Sequence, residues 1–568
     1  MNHQIKRAVA FALATSAAAG GAQASLLSTA VAAGNVVYAS GSTAVAATLT
    51  NYFDQVLDNT QNPCAVSSSS SSSALEIYTD TGSGQAFVAY ACMSNTAVIS
   101  GSSVPIAFVK ENNAGSGNAL LPVGSAYASN QLSFPALSSL NCGTPTGKAT
   151  STAVVNGSSV PVGAAYSAFT CSGVTTASVS PNMGFADVDP ALFGASASSY
   201  GVKDGPTIDL VFAPAVSLGL YHALQSAQGL TQDDALADVP SLTHGELNTI
   251  FTGQVTDWQY FSGYTGSAAQ AVGSVAVTFG NSGTSTLGSY EGKTSLPSTT
   301  TIHICRRDDY SGTEKTMETA LGGLANNGGS CLSGVNNWVS STNSELLGSG
   351  WANPATSSTV YANSSTGNLL KCLEANDAVG QFAIGYASVD NAWGTNGTPA
   401  QSSLAADFRY IKVDGALPSI ENAASGRYSI FAQSVYTIPA NSSQPNSLSG
   451  GAALALQNAI TGTHGLGYYK VVEAVNALDQ WSNPTFHGGL LAIPSGAGTG
   501  PNTPVGVSAT NAQFFVDPVN MYYHTTGSVD TAANPSAIDN CQPANVANIN
   551  LTANTPVGGI AAFTPSGN

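Results

Sequence analysis

The chain has 568 residues, of which 43% are hydrophobic and only 8% charged, with 14 Lys+Arg against 31 Asp+Glu and a formal net charge of −17. That length calls for two to four domains, or two with large insertions, and the hydrophobic content suffices for sizeable cores. The acidic balance argues against nucleic acid or an anionic membrane surface as a partner, since either would repel the chain; solubility falls to Ser, Thr, Asn, Gln and Gly.

Residues 1–24 read as a secretory signal peptide, in which Lys6 and Arg7 lead an apolar run ending at Ala22-Gln23-Ala24. Cleavage is expected after Ala24, with a second small-residue site ending at Ala33. The run is shorter than the roughly 20 residues of a membrane span, and no later stretch is long and apolar enough to span, so no stable membrane insertion is expected. Residues 35–57, NVVYASGSTAVAATLTNYFDQVL, predict a strand, a turn at Ser40-Gly41-Ser42-Thr43, and a helix with Leu49, Tyr52, Phe53 and Leu57 at helical spacing. Seven consecutive serines at 67–73 read as flexible filler. A strand, a Gly82-Ser83-Gly84 turn and an apolar run follow.

Residues 93–183, rich in Ser, Gly and Val, read as β-hairpins or loops inserted on the surface. Residues 183–194 predict a strand running into a turn with Asp187 and Asp189, and residues 207–224 a buried strand followed by a helix. Residues 242–261 read as helical to Gly253, with Trp258 just beyond. The stretch HICRRDDYSGTEKTMETAL, 303–321, sets Arg306, Arg307, Asp308 and Asp309 ahead of Ser311-Gly312-Thr313 and a helical pattern. Strands are expected at 380–392 and 407–415 and a helix at 447–462. From about Asn534 the chain reads as a polar tail tacked down by Cys541.

Eight cysteines follow the leader, at 64, 92, 142, 171, 305, 331, 372 and 541. In an exported chain an even number reads as up to four disulfides. Cys142 and Cys171 lie in one segment and are expected to pair, because a short loop closes at low entropic cost. No CxxC and no HExxH spacing occurs among the cysteines and seven histidines, so neither a metal nor another cofactor is expected. No GxSxG elbow marks a hydrolase, and no enzyme activity is expected.

Alternating strands and helices predict an α/β chain with mostly parallel sheets, whose ligands bind beyond the carboxyl ends of strands. Helix N-termini there expose unpaired N–H groups and the positive end of the dipole, a ready anion site. The turns at Thr43 and Ala44, at Ser83, at Asp187 and at Ser311-Gly312-Thr313, with Arg307 close by, would surround a small tetrahedral anion with neutral donors and one fixed cation. Taken singly, each of these is equally a helix cap, a turn or a structural ion pair.

Six pieces occur together and in one order: ASGSTAV (39–45), TGSGQA (81–86), GFADVDP (184–190), IFTGQVTDW (250–258), RDDYSGT (307–313) and AIGYASVD (383–390). Over about residues 35–440 the chain resembles the PstS-like phosphate-binding proteins, the exported substrate-binding components of phosphate ABC transporters. The resemblance implies a two-lobed, periplasmic-binding-protein-like (type II) α/β clamshell that holds inorganic phosphate between its lobes. It places Thr43, the Ala44 backbone, Ser83, Asp187, Arg307, Ser311, Gly312 and Thr313 on the phosphate, with Asp309 orienting the arginine. Arg306 and Asp308 receive no role and read as surface or hinge charges. The expected organisation is a signal peptide at 1–24, lobe 1 at 25–205 with the 93–183 insertion, lobe 2 at 206–380, the rest of lobe 1 at 381–533, and a tail at 534–568.

The expected function is therefore that of a periplasmic or extracellular binding protein that sequesters inorganic phosphate, with an ABC transporter permease as the implied partner. The alternative is a cell-surface structural or adhesive protein that reuses the fold.

Overall fold

The computed structural model describes residues 25–466, apart from 59, 81–86, 113–114, 125–130, 156–157, 189, 194–196, 266–267, 281–288, 323–358, 390–407, 419–421, 424–426 and 463–464. The expected signal peptide, the tail, Ser83, Cys331 and Cys541 lie outside the described residues.

The first half of the fold opens with α1 (Leu26–Ala33). Ser25 caps it, its Oγ accepting from Ser28 N at 3.1 Å, and Gly34 ends it in the left-handed region at φ 71°. Then come β1 (Val36–Gly41), α2 (Ala46–Asp54), β2 (Leu75–Asp80), β3 (Phe87–Met93), β4 (Pro105–Glu111), β5 (Thr146–Lys148), β6 (Tyr166–Cys171) and β7 (Met183–Ala186). Leu27 and Ala30 of α1 pack under this sheet with Phe87, Ala89, Ala107 and Val109.

The long strand β8 (Val202–Ser217) leads into α3 (Leu218–Gln228), α4 (His244–Phe251), β9 (Thr299–Arg307), α5 (Gly312–Gly322), β10 (Val360–Asn363), α6 (Thr366–Ala378), β11 (Gln381–Ser388) and β12 (Phe408–Tyr410). The chain returns through β13 (Phe431–Pro439) to α7 (Gly451–Thr461). A Thr243/Glu246 capping box starts α4, and beyond its end Trp258 is buried with Nε1 donating to Phe382 O at 3.3 Å.

Among the described residues, thirteen strands form one sheet in the order β10-β9-β11-β8-β13-β7-β1-β4-β3-β2-β6-β5, with β12 pairing the end of β8. In the first half β1 runs parallel to both β4 and β7; in the second, β9 runs parallel to β10 and β11. Two antiparallel strands join the halves: β8 pairs β13 over residues 202–211 and β11 over 212–216, while β13 also pairs β7. This is a two-lobed α/β architecture of the periplasmic-binding-protein type, with parallel strand ends in each half.

Three features depart from the sequence reading. β4 falls inside the segment expected to be a surface insertion, yet Ile106–Glu111 are all buried between β1 and β3; the small hairpins come after it. Its run PIAFV is continuously apolar because both faces are covered. β11, expected to begin the return to the first lobe, hydrogen-bonds to β9 and β8 in the second half. The serine run forms ordered turns rather than loose filler: Ser70 N donates to Ser67 O at 3.0 Å, and Ser167 Oγ donates to Ser72 O at 2.8 Å.

Disulfides join Cys64 to Cys92, Cys142 to Cys171, the expected pair, and Cys305 to Cys372. No described helix is long and apolar enough to cross a membrane.

Candidate anion-binding site

The site is built where β1, β4, β7 and β9 end. β1 closes at Gly41, at φ 97°, where a Cβ would stand 2.1 Å from Phe185 O; only glycine passes here. The chain then turns against β7, Ser42 N donating to Phe185 O at 2.7 Å. Ser42 Oγ hydrogen-bonds to Asp187 Oδ1 and accepts from Ala44 N at 3.0 Å. Thr43 is half-buried and Ala44 buried, and α2 follows with no side-chain cap at its first turn.

Asp187 follows directly on β7 and is only 3% exposed. Its backbone N donates to Ser116 Oγ at 2.9 Å. Ser116 is fully buried and opens the single 3-10 turn Ser116–Ala119 after β4.

The second half supplies Arg307 at the end of β9 and the start of α5. Thr313 Oγ1 donates to Asp187 Oδ2 at 3.3 Å, a hydrogen bond between the halves. Gly312 lies so close to the first half that a Cβ would sit 2.4 Å from Ser116 Oγ and 2.8 Å from Asp187 Cβ. Ser311 is buried, and its Oγ caps α5 by accepting from Glu314 N at 3.3 Å. The turn before it docks as well, Gly117 N donating to Tyr310 O at 2.8 Å.

The Arg307 guanidinium is held by neutral oxygens. Nε donates to Asn363 O at 3.1 Å, Nη1 to Thr366 Oγ1 at 2.9 Å and Nη2 to Ser364 O at 2.9 Å. Asp309, expected to orient Arg307, instead pairs with Arg306 Nη2 at 2.7 Å and is 78% exposed. Arg306, read as a surface or hinge charge, is buried and also meets Glu314 Oε1 at 2.5 Å. The reason is strand alternation: adjacent residues of β9 point to opposite faces, and the Arg306 guanidinium is on the one that reaches Asp309 and Glu314. Glu314 Oε2 in turn accepts from Arg307 N at 3.0 Å and from the Tyr386 hydroxyl. Burial pushes the Glu314 carboxyl well up, against the opposing pull of Arg306.

Burial also raises the Asp187 carboxyl, opposed by the Ser42 bond, the Arg307 charge, the Thr313 bond and the Lys110 charge. The site thus pairs hydroxyl and backbone donors with one buried carboxylate acceptor and a cation. That set suits an anion which still carries a proton to give.

Of the residues singled out from sequence, Asp187 and Ser311-Gly312-Thr313 come together across the halves, beside the turn holding Thr43 and Ala44. Ser83 lies outside the described residues; the strands on either side of it, β2 and β3, pair antiparallel. The turn next to β1 is that of Ser116, which sequence reasoning missed. The signal was present in AFVKENNAGSGNAL, 107–120, an apolar strand followed by Gly-Ser-Gly, and was lost when 93–183 was read as surface insertion. Among the described residues no group of three or more His, Cys, Asp or Glu is placed to hold a metal.

Residues 223–456 match a family model described as a PBP superfamily domain. Over those residues the chain carries a PBP superfamily domain. The match is less than half of the chain; it takes in Arg307 and Ser311–Thr313 and leaves out Thr43, Ser116 and Asp187. No curated protein matches.

Among solved structures, the chain is similar to a protein assigned as a phosphate ABC transporter substrate-binding protein, with phosphate bound, from Clostridium perfringens. Identity is 15%, TM-score 0.28, with 52% of this chain and 77% of that one covered. An ABC-type phosphate transport receptor from Vibrio cholerae is 14% identical, with a TM-score of 0.23 over 46% of this chain and 68% of that one. PstS from Borrelia burgdorferi is 13% identical, with a TM-score of 0.23 over 52% and 78%. Likeness at these scores fixes neither ligand nor mechanism. The chemistry of any ligand rests on this chain's own residues.

Proposed function

We propose that the protein is an exported binding protein that sequesters inorganic phosphate between its two halves and catalyses no reaction. The observation that carries this reading is the bond from Thr313 Oγ1 to the buried Asp187 carboxylate across the halves, with Gly312 packed close to Asp187 Cβ, Ser116 Oγ accepting from the Asp187 backbone N, and Arg307 as a cation held by neutral oxygens. Phosphate near neutral pH carries at least one proton that a carboxylate can accept. The ligand contacts are those of Thr43, the Ala44 backbone, Ser116, Asp187, Arg307, Ser311, Gly312 and Thr313.

Export rests on the leader at 1–24, and cleavage after Ala24 leaves intact the Ser25 cap and the packed helix α1, whereas cleavage after Ala33 removes them. A periplasmic or extracellular location and delivery to an ABC transporter permease follow from the same reading. Equilibrium dialysis with labelled phosphate, after unfolding and refolding to strip endogenous ligand, tests it. Saturable retention at one site per chain is expected; no retention returns the protein to the alternative of a surface protein reusing the fold.

A further inference from the structure

We infer that Lys110 is a positioning residue of this site, one that holds the 41–44 turn and keeps the Asp187 carboxylate an acceptor, so that the site selects protonated anions. The inference rests on the phosphate reading and adds to it a residue that touches no ligand.

Lys110 lies on β4 with no exposure at all. Its ammonium donates to Gly41 O at 3.1 Å, to Glu111 O at 3.1 Å and to Asn112 Oδ1 at 2.9 Å, which uses all three protons. An apolar side chain would fill this volume without the cost of burying a charge. Gly41 is the residue before Ser42, and Ser42 Oγ is bonded to Asp187. The ammonium therefore grips the turn that grips the carboxylate.

The charged groups facing this pair are few. Glu111 on β4 and Asp187 beyond β7 act on Lys110; Arg307 from β9 and Lys110 act on Asp187. Of the two cations that act on Asp187, Arg307 belongs to the other half and Lys110 to its own. Burial lowers Lys110 to about 8, with Glu111 and Asp187 pulling it back up.

The Lys110 charge favours the carboxylate form of Asp187, which accepts a proton from phosphate and meets sulfate lone pair against lone pair. Removing that charge raises the pH up to which the buried carboxyl holds its proton, and in the protonated form it is a donor that admits sulfate.

The test is calorimetric titration of phosphate, with sulfate as competitor, between about pH 5 and 9, on the full chain and on Lys110→Gln and Lys110→Arg. Gln keeps two amide donors and removes the charge. The wild-type protein should admit sulfate only toward acid pH, Lys110→Gln should move that onset up by roughly one pH unit or more, and Lys110→Arg should restore it. A folded Lys110→Gln with the wild-type profile overturns the inference. If Lys110→Gln does not fold, the wild-type protein decides. At about pH 8.5, phosphate binding should take up protons onto Lys110, read from the dependence of the enthalpy on buffer ionisation; no uptake overturns the inference. A wild-type protein that binds no phosphate at any pH instead removes the reading on which it rests.

Discussion

The Thr313 hydroxyl, from the second half of the sheet, donates to the Asp187 carboxylate of the first at 3.3 Å. One hydrogen bond thus joins the two halves at the acceptor on which ligand choice depends. Asp187→Asn should bind sulfate and phosphate about equally, because an amide turns its N–H toward an unprotonated oxygen. In the wild-type protein the missing proton should cost sulfate a factor of roughly 10⁴. Competition titration checks this; equal displacement by sulfate from the wild-type protein removes Asp187 from the role.

Arg307 and Asp309 should separate in their effects. Arg307→Ala removes a buried cation and should weaken phosphate binding by at least about a hundredfold. Asp309→Ala breaks only a pair with Arg306 in which Asp309 is largely exposed, and should change affinity by less than about fivefold. Thr366→Val, which removes an acceptor of Arg307 Nη1, should fall between them. Calorimetry on the three variants tests the order; a loss at Asp309 matching that at Arg307 would restore the pairing first expected.

Gly312→Ala places a methyl group 2.4 Å from Ser116 Oγ and 2.8 Å from Asp187 Cβ. The Gly312 backbone meets buried side chains of the first half there, so the halves must spread. The variant should keep its fold, lose phosphate affinity by at least tenfold, and show a larger radius of gyration by solution scattering with phosphate present. An unchanged radius and affinity would mean that the 116 turn and the start of α5 do not close on the ligand together.

Asp54, buried at the end of α2, has no hydrogen-bond partner on Oδ1, and burial raises its carboxyl to about 8. The folded state therefore holds a proton that the unfolded chain releases near pH 4. Its contribution to stability is full below that pH, declines as pH rises toward about 8, and then levels. Each unit of separation is worth about 1.4 kcal/mol. Asp54→Asn should raise the melting temperature at pH 8 and leave it nearly unchanged at pH 4. Equal shifts at both values would show that the carboxyl is not protonated in the fold.

The sequence by itself determined what depends on neighbours along the chain. Val36–Tyr38 made a strand, the Ser-Gly-Ser-Thr turn a site of tight passage, and Leu49, Tyr52 and Phe53 a helix face; Ser311-Gly312-Thr313 was recognisable as a helix start because capping is local. Only the tertiary structure decided which strand lies beside β1. β4 takes that place through pairing between residues 36–39 and 107–110, and with it came Ser116 and Lys110, whose segment had read as surface loops. Sheet order is set by pairings distant in sequence that no local pattern encodes. The partner of Asp309 was decided the same way. Arg306 and Arg307 are equally cationic as letters, and it is the alternation of β9, fixed by its pairing to β10 and β11, that turns one toward Asp309 and Glu314 and the other toward Asn363, Ser364 and Thr366.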